Sequence, residues 1–175
     1  MSNFIPRPSA EILELVQACG RHLRELDANA ALKAFESPDP GSHLTDPTPG
    51  QLEAVYDTAC RLCDEGNFRF ASVLTLHLVS YKPSDARFAF IAGTCMQRVG
   101  LHAHAARLYC CALVTGGDDP ATLYRLAECL LALRDNANAE KALDAAVDLT
   151  RQLEHPGRLQ AMAHELLENI KRNAT

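Results

Sequence analysis

Between residues 52 and 151 one pattern is written three times at a spacing of 34 residues. Gly66, Gly100 and Arg134 form one column at that spacing, and Ala59, Gly93 and Ala127 a second. Ala71, Ala105 and Ala139 make a third, and Tyr56, Phe90 and Tyr124 a fourth. Four independent columns in register over three copies are hard to obtain by chance. A unit of this kind cannot bury its apolar face alone, so copies must stack and share a continuous core.

A 34-residue unit with a small residue at its eighth place, a turn near the fifteenth and alanine at the twentieth resembles the tetratricopeptide repeat. The resemblance implies an all-α solenoid of three helix-turn-helix repeats, at 52–85, 86–119 and 120–153, within a domain spanning 51–175. The small side chains at places 8 and 20 would then let the two helices of each pair approach closely. Local signals agree. Thr48 is placed to cap the first helix, Pro49 suits its first position, and Gln51 completes a capping box. Repeat one turns at Gly66-Asn67, and repeat two turns at Gly100 and stops at Gly116-Gly117. Asp119-Pro120 then opens repeat three, whose turn Arg134-Asp135-Asn136 lacks the glycine, although Asp and Asn still tolerate a turn. Stacked repeats leave an apolar end, and Leu159, Ala163, Leu166 and Ile170 predict a capping helix over 157–172. No stretch reads as a strand.

Before the repeats, residues 1–36 predict a helical region and 37–50 a linker that holds four of the nine prolines. Ser9 is a candidate N-cap, and Ile12, Val16, Cys19 and Leu23 recur at helical spacing. A shorter helical stretch, Ala28 to Phe35, follows. The stripe can pack on the chain's own repeats or on another subunit. Because it stands behind a flexible linker, Ile12, Val16, Cys19 and Leu23 are expected to mediate self-association.

Composition excludes several function classes. A formal charge of −5 argues against nucleic acid as the main partner, since phosphate binding needs a basic surface. No apolar run approaches the ~20 residues of a membrane span. The start of the chain has no apolar core after a basic end, and seven scattered cysteines suit a reducing compartment, so a cytoplasmic protein is expected. The Cys60-Arg61-Leu62-Cys63 pair lies mid-helix with no second pair at ligand spacing, which argues for structural or groove-lining thiols over zinc or redox chemistry. His102 and His104 read as surface histidines. With no phosphate loop, nucleophile elbow or dinucleotide fingerprint, no enzyme, cofactor or metal is expected.

What remains is the repeat groove. In stacked helix pairs, places 5, 9 and 12 of each first helix face the concave side. Here those places hold Tyr56, Cys60 and Cys63, then Phe90, Thr94 and Gln97, then Tyr124, Glu128 and Leu131. The three rings are either a ladder of open platforms or part of the inter-repeat core. Places 4 and 7 already supply the core with Val55, Ala89, Ala92, Leu123 and Leu126, which favours the platforms and predicts that trimming Tyr124 costs little stability. An aromatic-lined groove suits an extended, proline-containing segment, which loses little entropy on binding.

The segments Leu52-Glu53-Ala54-Val55-Tyr56, Gly66-Asn67-Phe68, Asp85-Ala86-Arg87-Phe88, Gly93-Thr94-Cys95 and Ala127-Glu128-Cys129-Leu130-Leu131 carry a more specific likeness. With three repeats between an N-terminal helix and a C-terminal cap, the chain resembles the class II chaperones of bacterial type III secretion. The resemblance implies a cytoplasmic, often dimeric protein whose groove takes a P-x-L-x-x-P-like segment of a secreted translocator. Tyr56, Cys60 and Cys63 stand where that family places aromatic groove residues; two of the three are cysteine here. The alternative is a repeat adaptor or regulator with a folded partner and no secretion role.

Overall fold

The first repeat begins with a closed capping box. In the computed structural model, which describes residues 8–25, 47–151 and 157–173, the Thr48 N–H donates to Gln51 Oε1 at 2.8 Å. The Gln51 N–H in turn donates to Thr48 Oγ1 at 3.4 Å. Two backbone donors that the helix cannot satisfy internally are thereby paired. Asp85 and Asp119 do the same service at the next two first helices, accepting from the Arg87 N–H at 3.2 Å and the Thr122 N–H at 2.8 Å.

Among the described residues the chain is wholly α-helical, in eight helices. The helices are α1 (Ala10–Glu25), α2 (Pro49–Asp64), α3 (Phe68–Tyr81), α4 (Ala86–Arg98), α5 (His102–Gly116), α6 (Pro120–Ala132), α7 (Asn136–Arg151) and α8 (Gly157–Asn173). From α2 onward each packs on its sequence neighbour, giving the antiparallel pairs α2/α3, α4/α5 and α6/α7, with α8 closing the stack. The first helices also touch one another in order, α2 to α4 to α6 to α8. They form one layer, and α3, α5 and α7 form the other. Ala71, Ala105 and Ala139, the twentieth place of each copy, are fully buried.

The turn column behaves as one, including where glycine is missing. Gly66, Gly100 and Arg134 have φ of 76°, 84° and 62°. The third turn falls at Arg134-Asp135-Asn136. Arg134 itself takes the left-handed conformation, and Asp135 caps α7, its carboxylate accepting from the Asn138 N–H at 3.3 Å.

The N-terminal stripe needs correcting. Helix α1 lies on α5 and α7 of its own chain. Ser9 caps it through the Ile12 N–H, and the Ser9 N–H donates to Asp118 at 3.0 Å, tying the start of α1 to the loop before α6. Ile12, Leu15 and Cys19 are buried in the same core as Leu113, Leu143 and Val147, with Val16 packed against it. Ile12 and Cys19 are therefore spent on the intramolecular core and are not open to a second copy. The Leu23 side chain, the Ala28–Phe35 stretch and most of the linker lie outside the described residues.

Candidate functional site on the face of the first helices

Among the described residues α1 packs on α5 and α7 of the second layer, and not on the first helices. The aromatic column divides along the first helices. Tyr56 on α2 and Phe90 on α4 are half-buried. Tyr124 on α6 is only 8% exposed and belongs to the core, so the expectation that its ring stands free does not hold. The stack continues beyond it with α8, whose Ala163, Leu167 and Ile170 are buried in the same cluster as the third ring. Leu131 likewise packs against that core.

The first platform is built around Arg87. Its guanidinium lies 5.2 Å from the Tyr56 ring centre and 5.5 Å from that of Phe88. The two rings are themselves 5.5 Å apart. Arg87 is held there by two carboxylates, Glu53 at 2.7 Å and Asp85 at 2.9 Å. Hydrogen bonds to that guanidinium hold both carboxyls below the usual carboxylate range. Glu53 and Arg87 occupy the same place in successive copies, so the period that stacks the repeats also brings opposite charges together. Beside this platform lies a cavity of about 370 Å³ between Tyr56, Phe90 and Arg87 and the start of α6 at Ala121 and Thr122.

A polar row runs beside the second ring. Tyr109, reaching across from α5, donates its hydroxyl proton to Gln97 Oε1 at 2.8 Å, and Thr94 Oγ1 lies 3.3 Å away. The Gln97 side-chain amide donates to Glu128 Oε2 at 3.0 Å, and Arg125 donates to the same oxygen at 3.0 Å. The three polar positions read from the sequence, Thr94, Gln97 and Glu128, are thus brought into one network spanning α4 and α6. Tyr109 and Arg125 were not foreseen as members. Burial pushes the Tyr109 phenol well above its ordinary value, so it stays a neutral donor. Its ring also sets the backbone approach: a Cβ on Gly93 would lie 2.8 Å from it.

The cysteines sort by depth. Cys60 is half-buried next to Tyr56, whose phenol is pushed up by burial and by that thiol. Cys63 turns toward Cys95 on α4, sulfur to sulfur at 3.4 Å. No group of three or more His, Cys, Asp or Glu is placed to hold a metal ion among the described residues. Among the described residues no helix is long and apolar enough to cross a membrane. His102 and His104 are half-buried at the start of α5 and do not lie on the open surface.

No family model matches the sequence, and no curated protein matches it. Solved structures do. PcrH of Pseudomonas aeruginosa, in complex with the chaperone binding region of PopD, is 25% identical with a TM-score of 0.72. That match covers 75% of this chain and 99% of PcrH. The type III secretion chaperone SycD of Yersinia enterocolitica, in complex with a peptide of the translocator YopD, is 26% identical with a TM-score of 0.69. Here 73% of this chain and 98% of SycD are covered. PcrH has also been solved with the chaperone binding region of PopB, at 26% identity and a TM-score of 0.66 over 71% of this chain and all of PcrH.

Proposed function

We propose that this chain, a translocator chaperone of type III secretion by fold, repeat order and sequence likeness, holds one or two secreted translocators through the open face of its first helices. The observation that carries the reading is the division of the two layers. Among the described residues, helix α1 packs on the second helices α5 and α7 and not on the first helices that carry Tyr56, Phe90 and the Thr94–Gln97–Glu128 row. Half-buried rings set among fixed hydrogen-bonding groups suit an extended segment. The rings take its apolar or proline side chains, and the polar row meets its backbone. The client is a short proline-containing stretch, and binding keeps its apolar regions from aggregating before export. The protein acts in the bacterial cytoplasm, as a homodimer, by binding alone and without catalysis.

The complexes of PcrH and SycD with translocator segments support the client class. SycD has been described in more than one dimer, which supports self-association. The test is co-purification from the native cell at endogenous levels. The expected companion is a secreted protein with amphipathic or membrane-active segments that precipitates when this chain is absent. Recovery of a folded-domain partner alone, with translocators soluble in a strain lacking the protein, would instead establish the adaptor reading.

A further inference from the structure

Two thiol pairs join elements that are distant in sequence, and they differ in access. Cys19 and Cys110 connect α1 to α5, and both are buried, Cys19 completely. Cys63 on α2 and Cys95 on α4 sit 3.4 Å apart, sulfur to sulfur, on the wall between the first two repeats. Of these, Cys95 is fully buried but Cys63 is only partly covered, and the half-buried Cys60 stands one turn before it on α2. A sulfur pair at contact distance needs only about 1.4 Å of further approach to reach the ~2.05 Å of a disulfide.

We propose that Cys63 and Cys95 form a thiol–disulfide exchange site, closed by small-molecule disulfides of the glutathione type, that staples the first helices of repeats one and two. The Cys63 thiolate attacks one sulfur of the oxidant, forming a mixed disulfide and releasing one thiolate, which takes up the proton Cys63 lost. The Cys95 thiolate then attacks the Cys63 sulfur, forms the intramolecular bond and expels the second small thiol. Two protein thiols lose two electrons and two protons, and one disulfide becomes two thiols. The order follows from access and charge. Burial pushes the Cys63 thiol up and its contact with Cys95 offsets part of that rise, whereas burial and the same contact push Cys95 up to about 12. With both thiols raised, exchange is slow at neutral pH, so the site responds to sustained oxidation and not to brief exposure. Once closed, the bond fixes the spacing of α2 and α4, and with it that of Tyr56 and Phe90. This inference stands on the thiol geometry and is independent of the client.

The experiment is incubation of the full-length folded protein with oxidised glutathione, quenching with an alkylating agent in denaturant so that buried thiols also react, and peptide mapping by mass spectrometry. The expected result is loss of two of the seven thiols, a Cys63–Cys95 cross-linked peptide, and full recovery on reduction. Cys63→Ser should abolish the cross-link and leave Cys95 alkylated. Cys95→Ala should stop at a glutathione adduct on Cys63, with circular dichroism reporting that both variants remain helical. Retention of all seven thiols would overturn the proposal. So would a wild-type adduct that stays on Cys63 with Cys95 free, or modification confined to Cys60 and the exposed Cys111.

Discussion

Gly93 lacks the Cβ that Ala59 and Ala127 carry in the same column, and Tyr109 is the reason. A methyl there would lie 2.8 and 2.9 Å from ring carbons of a side chain with no exposed surface. Alanine is worth about 1 kcal/mol more than glycine in a helix interior, but a rigid buried ring cannot yield. Gly93→Ala should therefore lower stability by about 1–3 kcal/mol, read from chemical denaturation, and disturb the Tyr109–Gln97 hydrogen bond. Arg134 is the opposite case. It holds a φ of 62° in a column otherwise glycine, a conformation costing a side chain ~1–2 kcal/mol. Arg134→Gly relieves that cost but gives back some backbone entropy, for a net gain of about 0.5–1 kcal/mol. Tyr124→Ala should cost about 3 kcal/mol, because it empties a core site and does not trim an open ring. The column of three aromatics was legible from the period. Its division into two half-buried rings and one buried ring was not, because that depends on α8 closing over the last copy.

At the scale of elements, the capping signals were readable because they are local. Thr48 with Gln51 and Asp119 with Pro120 each specify a helix start from a few residues. The partner of α1 was not, since an apolar stripe states that a face is buried and is silent on what covers it. With Ile12 and Cys19 in the intramolecular core, Ile12→Ala should lower stability by roughly 2–4 kcal/mol and leave the association state unchanged in sedimentation. A stable variant that dissociates would restore the stripe as a subunit interface. The start of α4 carries a pH signature. Asp85 caps the helix and pairs with Arg87 and Lys82, and these contacts hold its carboxyl below the ordinary range. A lowered folded-state value means that the unfolded chain binds the proton more readily. The stabilisation is thus fully present above about pH 4 and fades as pH falls through the folded value. Melting temperatures of wild type and Asp85→Asn should differ at pH 7 and converge toward pH 3.

For the whole molecule, the 34-residue period stacks the repeats, and stacking makes equal places neighbours. Glu53 meets Arg87 for that reason, and Gln97 meets Glu128 between the first helices of the next two copies. Tyr109 escaped the sequence reading because a tyrosine within the run Leu108-Tyr109-Cys110 looks like core, and only the fold shows its hydroxyl reaching the other layer. We propose that the first helices, on which α1 does not pack, serve as the binding surface. Isothermal titration with a synthetic peptide carrying a P-x-L-x-x-P-like segment, against wild type, Tyr56→Ala and Phe90→Ala, tests it most directly. Wild type should bind saturably and each variant at least tenfold more weakly, about 1.4 kcal/mol or more, with both variants melting above Tyr124→Ala. Wild-type affinity in the folded fraction of both variants would contradict the proposal.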